Sequence, residues 1–261
     1  MFQLQRVLEW GHQHTLGRIF PYSQNTREFL DGDQYGLLIL LKKNRFQIPE
    51  NGAASFRFVV QGSPRFTGAH LLNLAKPRGS LIVRAMLDGQ LPIVVANTHL
   101  SLGAATYLKF LEMREFASHL AELTGLGERV RAPTLIGVDT NSEHHTPEMQ
   151  WLFSNTDLVD LYHHFHPNLE EMPHRGSTWN PENPYTQVGF TADEPAQRLD
   201  FHLFAPGQYQ DTPFVNYQII SSDIVFDRSD SIISDHYGVF SKLRLQPSCA
   251  ALLGQPSLLV R

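Results

Sequence analysis

The chain has 261 residues, 42% of them hydrophobic and 18% charged, with a formal net charge of −5. That balance excludes a disordered chain and argues against a protein that grips nucleic acid mainly by neutralising phosphates. The single cysteine, Cys249, excludes an intrachain disulfide and a cysteine-rich metal site, which fits a reducing cytoplasm.

This length can bury one large core or two modest ones. No apolar run reaches 18 residues, so no membrane span is expected. The opening, MFQLQRVLEW, lacks the basic-then-apolar pattern of a signal peptide. In chain order, apolar runs predict strands over 35–41, 55–60, 80–87 and 92–100. A helix follows over 104–125, where Leu108, Leu111, Phe116, Ala117, Leu120 and Leu123 form an apolar stripe and Gly125 stops it. Next come a strand over 134–139 and a short helix over 147–153, with Pro147 in its first turn. Residues 164–197 shift to Pro, Asn, Glu and His and predict a long ordered loop. Strands over 198–204, 216–226 and 237–245 complete the set. Several strands are apolar at consecutive positions, as expected for burial on both faces. Many strands with few helices suggest packed sheets with helices outside. One domain over 1–245 is expected, with a tail, 246–261, that carries no readable motif.

Four polar clusters fall at or beside strand ends. His99 closes one strand, and Asp139 and Asn141 close the next. Two residues of extended chain would point Asp139 and Asn141 to one side, able to hold a water and an oxyanion together. The same pair could equally form a polar turn. Asp200 falls inside the 198–204 strand, and Asp235 and His236 open the last one. Each alone has a plain explanation: a hydrogen-bonded histidine, an Asx turn, a buried acceptor, a chance dipeptide. Taken together they suit one chemistry. A phosphodiester is an anion that repels nucleophiles, so its hydrolysis needs a positioned water, a base, and cationic or donor groups around the phosphate.

The ordered set THL, GVDTN, RLDF and SDH resembles the endonuclease/exonuclease/phosphatase superfamily across residues 1 to 245, with Val138 as a departure between Gly137 and Asp139. The resemblance implies an α+β fold: a four-layer α/β/β/α sandwich of two packed mixed sheets, with the active site at one edge. It implies that His236 acts as general base on the attacking water or stabilises the phosphate, with Asp200 fixing its tautomer. Asp139 would orient the water, Asn141 would donate to a phosphate oxygen, and His99 would stabilise the developing charge or the leaving group. Asp235 would help hold a divalent metal, Mg²⁺ or Mn²⁺.

RGSTWNPENP, 175 to 184, together with RGSLIVRAML and SDHYGVFSKL, resembles the sphingomyelinase branch. That implies a choline phospholipid as substrate, with Trp179 at the substrate. A nuclease acting on nucleic acid is the alternative, and Trp179 as a loop anchor is its plain reading. YHHFHP, 162 to 167, crowds three histidines, but adjacent ligands point apart and no zinc-site spacing follows, so no metal site is expected there. EHH, 143 to 145, reads as a solvated loop, with the cleft's rim as the alternative.

The superfamily's Leu-Gln-Glu-Val pattern, whose Glu is the principal metal ligand, aligns with Leu4-Gln5-Arg6-Val7, and the preceding Asn-bearing strand is missing. A carboxylate about 4 Å from a dication attracts it by roughly 2 to 8 kcal/mol, and an arginine there repels it similarly. Three explanations stay open: a truncated form of an active enzyme, a weakened pseudoenzyme that binds phosphoesters or a partner, or Arg6 replacing the metal's charge.

Overall fold

Which face each strand buries follows from its apolar pattern, and a computed structural model describes the outcome for residues 16–21, 37–58, 78–102, 106–127, 130–168, 176–187, 194–209, 212–227, 232 and 234–248. The first strands are β1 (Leu16–Pro21), β2 (Leu38–Lys42), β3 (Phe46–Gln47), β4 (Ala53–Arg57), β5 (Gly79–Leu87) and β6 (Leu91–His99). Helix α1 (Thr106–Thr124) leads through β7 (Gly125–Gly127) and β8 (Val130–Arg131) to β9 (Thr134–Asp139). Then come α2 (Pro147–Asn155), β10 (Val159–Asp160) and α3 (Leu161–Phe165). The chain continues with β11 (Asp200–Ala205), β12 (Gln208–Tyr209), β13 (Thr212–Pro213), β14 (Val215–Val225) and β15 (Gly238–Pro247).

The large mixed sheet runs β10-β11-β9-β6-β5-β3, with β4 also paired to β5. Within it β6 and β9 are parallel, which requires a crossover, and α1 supplies it. One face of this sheet packs against the helices: Ile82, Val94, Ile136 and Phe201 meet Met113, Phe116 and Leu120 of α1 and Met149 and Leu152 of α2. The other face meets two hairpins. Leu81, Val83 and Ile93 pack on Ile39 and Leu41 of β2, while Phe204 packs with Val215, Tyr217, Ile219 and Leu243 of the β14–β15 pair.

Helix, large sheet and second layer of strands therefore stack in the mixed α+β arrangement expected. The fourth layer, the region of the expected missing strand, Arg6, residues 59–60 and the tail beyond 248 lie outside the described residues. Most boundaries shift by a few residues, and two differences bear on the site. Asp200 is the first residue of its strand rather than an interior one. The expected long loop is preceded by α3, whose start is capped by Asp160 accepting the N–H groups of Tyr162 and His163. Five residues are too short to show a helical period.

Candidate active site

Strands β6 and β9 end, and β11 begins, at one edge of the large sheet. The register aligns His99 with Asp139 across the parallel pair and Asp139 with Asp200 across the antiparallel pair. Alternation turns all three side chains away from α1, toward the second layer of strands. His99 Nε2 lies 3.2 Å from Asp139 Oδ2. His236, just before β15, completes the group: its Nδ1 is 2.7 Å from Asp200 Oδ2 and 4.0 Å from Asp139 Oδ2. A cavity of about 320 Å³ opens here, lined by His99, Asp139, Asp200, His202 and Tyr237.

The charges follow from the distances. Burial pulls the His236 ring toward neutrality, but the hydrogen bond to Asp200 and the negative charges of Asp200, Asp139 and Asp235 outweigh it, and the pKa is pushed up to about 9. His236 is thus an imidazolium at neutral pH and donates Nδ1–H to Asp200. Burial raises the Asp139 carboxyl above the usual range, reinforced by Asp200 and opposed by His99, His236 and the Asn141 N–H.

Asn141 corrects the extended reading of its segment. Its φ is +47°, so the chain turns there. Its backbone N–H donates to Asp139 Oδ1 at 2.9 Å, the polar-turn alternative, and its side-chain amide donates to the Leu100 carbonyl at 2.9 Å. One amide hydrogen is thereby committed to backbone.

Trp179 is buried, and its ring meets the His236 ring edge-on with centroids 5.1 Å apart. The indole thus backs the His236 ring. Asp235 is exposed and accepts from the Ser234 hydroxyl. It stands outside the cluster of possible metal-holding groups among the described residues, which is Asp139, Asp200 and His236, with ligand atoms within 4.8 Å of one another. Within that cluster the two carboxylates suit a hard dication. The Nδ1 of His236 does not, because it carries a proton bound to Asp200 up to about pH 9. The 162–167 histidines have separate partners. His163 stacks on His144 with centroids 4.4 Å apart, His164 is exposed, and His166 Nε2 contacts the Ser222 carbonyl. His144 is half-buried beside Asp160 rather than solvated.

Sequence reasoning missed the residues that hold this site's loops. The fully buried Thr178 hydroxyl oxygen accepts the N–H groups of Leu199 and Asp200, and the Thr178 carbonyl accepts the Tyr237 N–H at 2.7 Å. Asn183, also buried, donates its amide to the carbonyls of Ser234 and Asp235. One loop thus fixes both partners of the His236–Asp200 pair. The only signal was the TWNPENP motif itself, which does not say which backbone groups it holds.

No protein-family model and no curated protein matches the chain. Solved structures do match. TDP2 from D. rerio, complexed with a single-strand DNA product, is 15% identical, covers 91% of this chain and 81% of its own, and gives a TM-score of 0.59. A mannosyl-6-phosphatase from Bacteroides thetaiotaomicron is 15% identical over 92% of this chain and 82% of its own, with a TM-score of 0.59. An endonuclease/exonuclease/phosphatase from Bacteroides vulgatus is 14% identical over 89% of this chain and 77% of its own, with a TM-score of 0.57. Identities this low speak for architecture, and on that ground the chain has the fold of the endonuclease/exonuclease/phosphatase proteins that its motifs resemble.

Proposed function

We propose that this site hydrolyses a phosphodiester by direct attack of water. The observation that carries the reading is the aligned row His99, Asp139, Asp200, closed by a His236 whose proton is held by Asp200. Of the two roles open to His236, its pKa of about 9 in the metal-free site favours the cation that stabilises the phosphate over the general base. Asp139, more basic than an ordinary carboxylate, suits the group that orients the water and takes its proton. His99, 3.2 Å from that carboxylate, takes the role the resemblance assigns it, at the leaving oxygen. The resemblance assigns Asn141 a donor role toward a phosphate oxygen, for which its amide has a second hydrogen besides the one given to the Leu100 carbonyl. The divalent metal implied by the resemblance fits Asp139 and Asp200, and when bound it would supply positive charge to the phosphate.

The substrate class rests on the 175–184 segment and its likeness to the sphingomyelinase branch, which favours a choline phospholipid. The likeness in fold to a TDP2 complexed with single-strand DNA favours nucleic acid as the second reading. Purified protein assayed with Mg²⁺ or Mn²⁺ on sphingomyelin, single-stranded DNA and a nitrophenyl phosphodiester separates them. The expected result is metal-dependent turnover of sphingomyelin, abolished by His236→Ala. Turnover of DNA alone moves the substrate to nucleic acid. Phosphoester binding by a folded protein with no turnover makes the chain a weakened binding domain.

A further inference from the structure

Two buried charges three residues apart on α1 grip the exits of the two strands that carry His99 and Asp139. Lys109 donates its ammonium to the Asn141 carbonyl at 2.6 Å. Glu112 accepts from the Ser101 N–H at 2.8 Å and from the Ser101 hydroxyl at 2.7 Å. Residues three apart share one helix face, so a single rigid element holds both exits. The exits are also tied to each other, by the Leu100 N–H to the Asp139 carbonyl and by the Asn141 amide to the Leu100 carbonyl. From the far side, the Ser142 hydroxyl donates to Glu148 in the first turn of α2, which also stands 3.7 Å from the Lys109 ammonium.

A plain packing role does not require charge here. Elsewhere α1 meets the sheet through Met113, Phe116 and Leu120, and buried ions are costly to desolvate. Lys109 and Glu112 place theirs where the backbone leaves the sheet. Holding the Asn141 carbonyl fixes the left-handed turn, and with it the N–H that Asp139 Oδ1 accepts. Holding Ser101 fixes the chain two residues beyond His99. We propose that Lys109 and Glu112 are positioning residues that set the separation of His99 and Asp139. The kinetic arm of this proposal rests on the hydrolytic reading of the site; the structural arm does not.

The test uses the full chain with Lys109→Met, the near-isosteric Glu112→Gln, and Ser101→Ala, which trims a single hydroxyl. Each is read by nitrophenyl phosphodiester kinetics and by NMR of the His99 ring. The expected result is a kcat reduced on the order of tenfold or more, with KM nearly unchanged, and shifted His99 resonances. Should Lys109→Met fail to fold, the other two variants carry the same comparison. Folded variants with wild-type kcat and unshifted His99 resonances overturn the proposal. If the wild type turns nothing over, the hydrolytic reading fails, and the His99 resonances decide the positioning role by themselves.

Discussion

At the scale of single residues, the His236–Asp200 contact has the sharpest consequences, because its 2.7 Å hydrogen bond fixes a charge at working pH. The ring binds its proton more tightly folded (about 9) than as a free side chain (6.5). The stability this gives is therefore fully present below about pH 6.5 and is lost as pH rises through about 9. The magnitude is on the order of 3 kcal/mol. Asp200→Asn removes the charge that holds the proton. Urea denaturation of that variant at several pH values is expected to lose the alkaline decline. Its phosphodiester turnover is expected to fall about 100-fold or more. The pH–rate profile of the unaltered protein discriminates the two roles of His236. A rate that holds through neutrality and falls near pH 9 marks a cation, whereas one that climbs toward pH 9 marks a base.

At the scale of elements, the segment 176–187 is a clamp rather than a connection. It starts at Gly176, whose φ of +95° and 2.6 Å approach of a would-be Cβ to the Tyr162 ring leave no room for a side chain. Its Thr178 hydroxyl oxygen then serves two N–H groups of the strand that begins with Asp200. Thr178→Val keeps the volume and orphans both donors, with an expected loss of about 2 to 4 kcal/mol by urea denaturation. Turnover should fall as well, since Asp200 loses its backbone support. This element also shows what sequence can and cannot disclose. Strand-end motifs such as THL and SDH are local, so they can be read directly from the chain, while the roles expected of His99 and His236 come from the resemblance of the ordered set. Thr178 acts on backbone 21 and 22 residues away, and Lys109 on backbone 32 residues away. No periodicity records such partners. Spacing left Asn141 with two readings, an extended pair or a polar turn, and the chain turns at that residue.

At the scale of the whole molecule, the layered arrangement was readable from the count and apolarity of the strands. The register that brings His99, Asp139 and Asp200 into one row was not. Pairing His99 with Asp139 depends on a parallel crossover through α1, and pattern alone does not set that offset. The layers also half-bury His119, His144 and His202, and that burial lowers the proton affinity of each. These rings fold best when neutral, so they remove stability as pH falls below about 6.5. His236 removes it on the alkaline side. The thermal midpoint is accordingly expected to peak near pH 6.5 and to decline in both directions in a calorimetric series. A midpoint that rises steadily from pH 6.5 to 9 would contradict the charge state drawn for the site.

The edge contact between Trp179 and His236 gives the protein a built-in optical gauge. A protonated imidazole against an indole accepts an electron from its excited state and quenches emission, and a neutral one does so far less. Trp179 is shielded from water, and among the described residues its indole N–H meets no hydrogen-bond acceptor, so little else dims it. Emission should brighten as pH passes about 9. It should already be bright at neutral pH in Asp200→Asn, and the response should vanish in Trp179→Phe. A phosphate ester settling beside the charged ring would alter the same light, so substrate arrival could be watched without labelling anything.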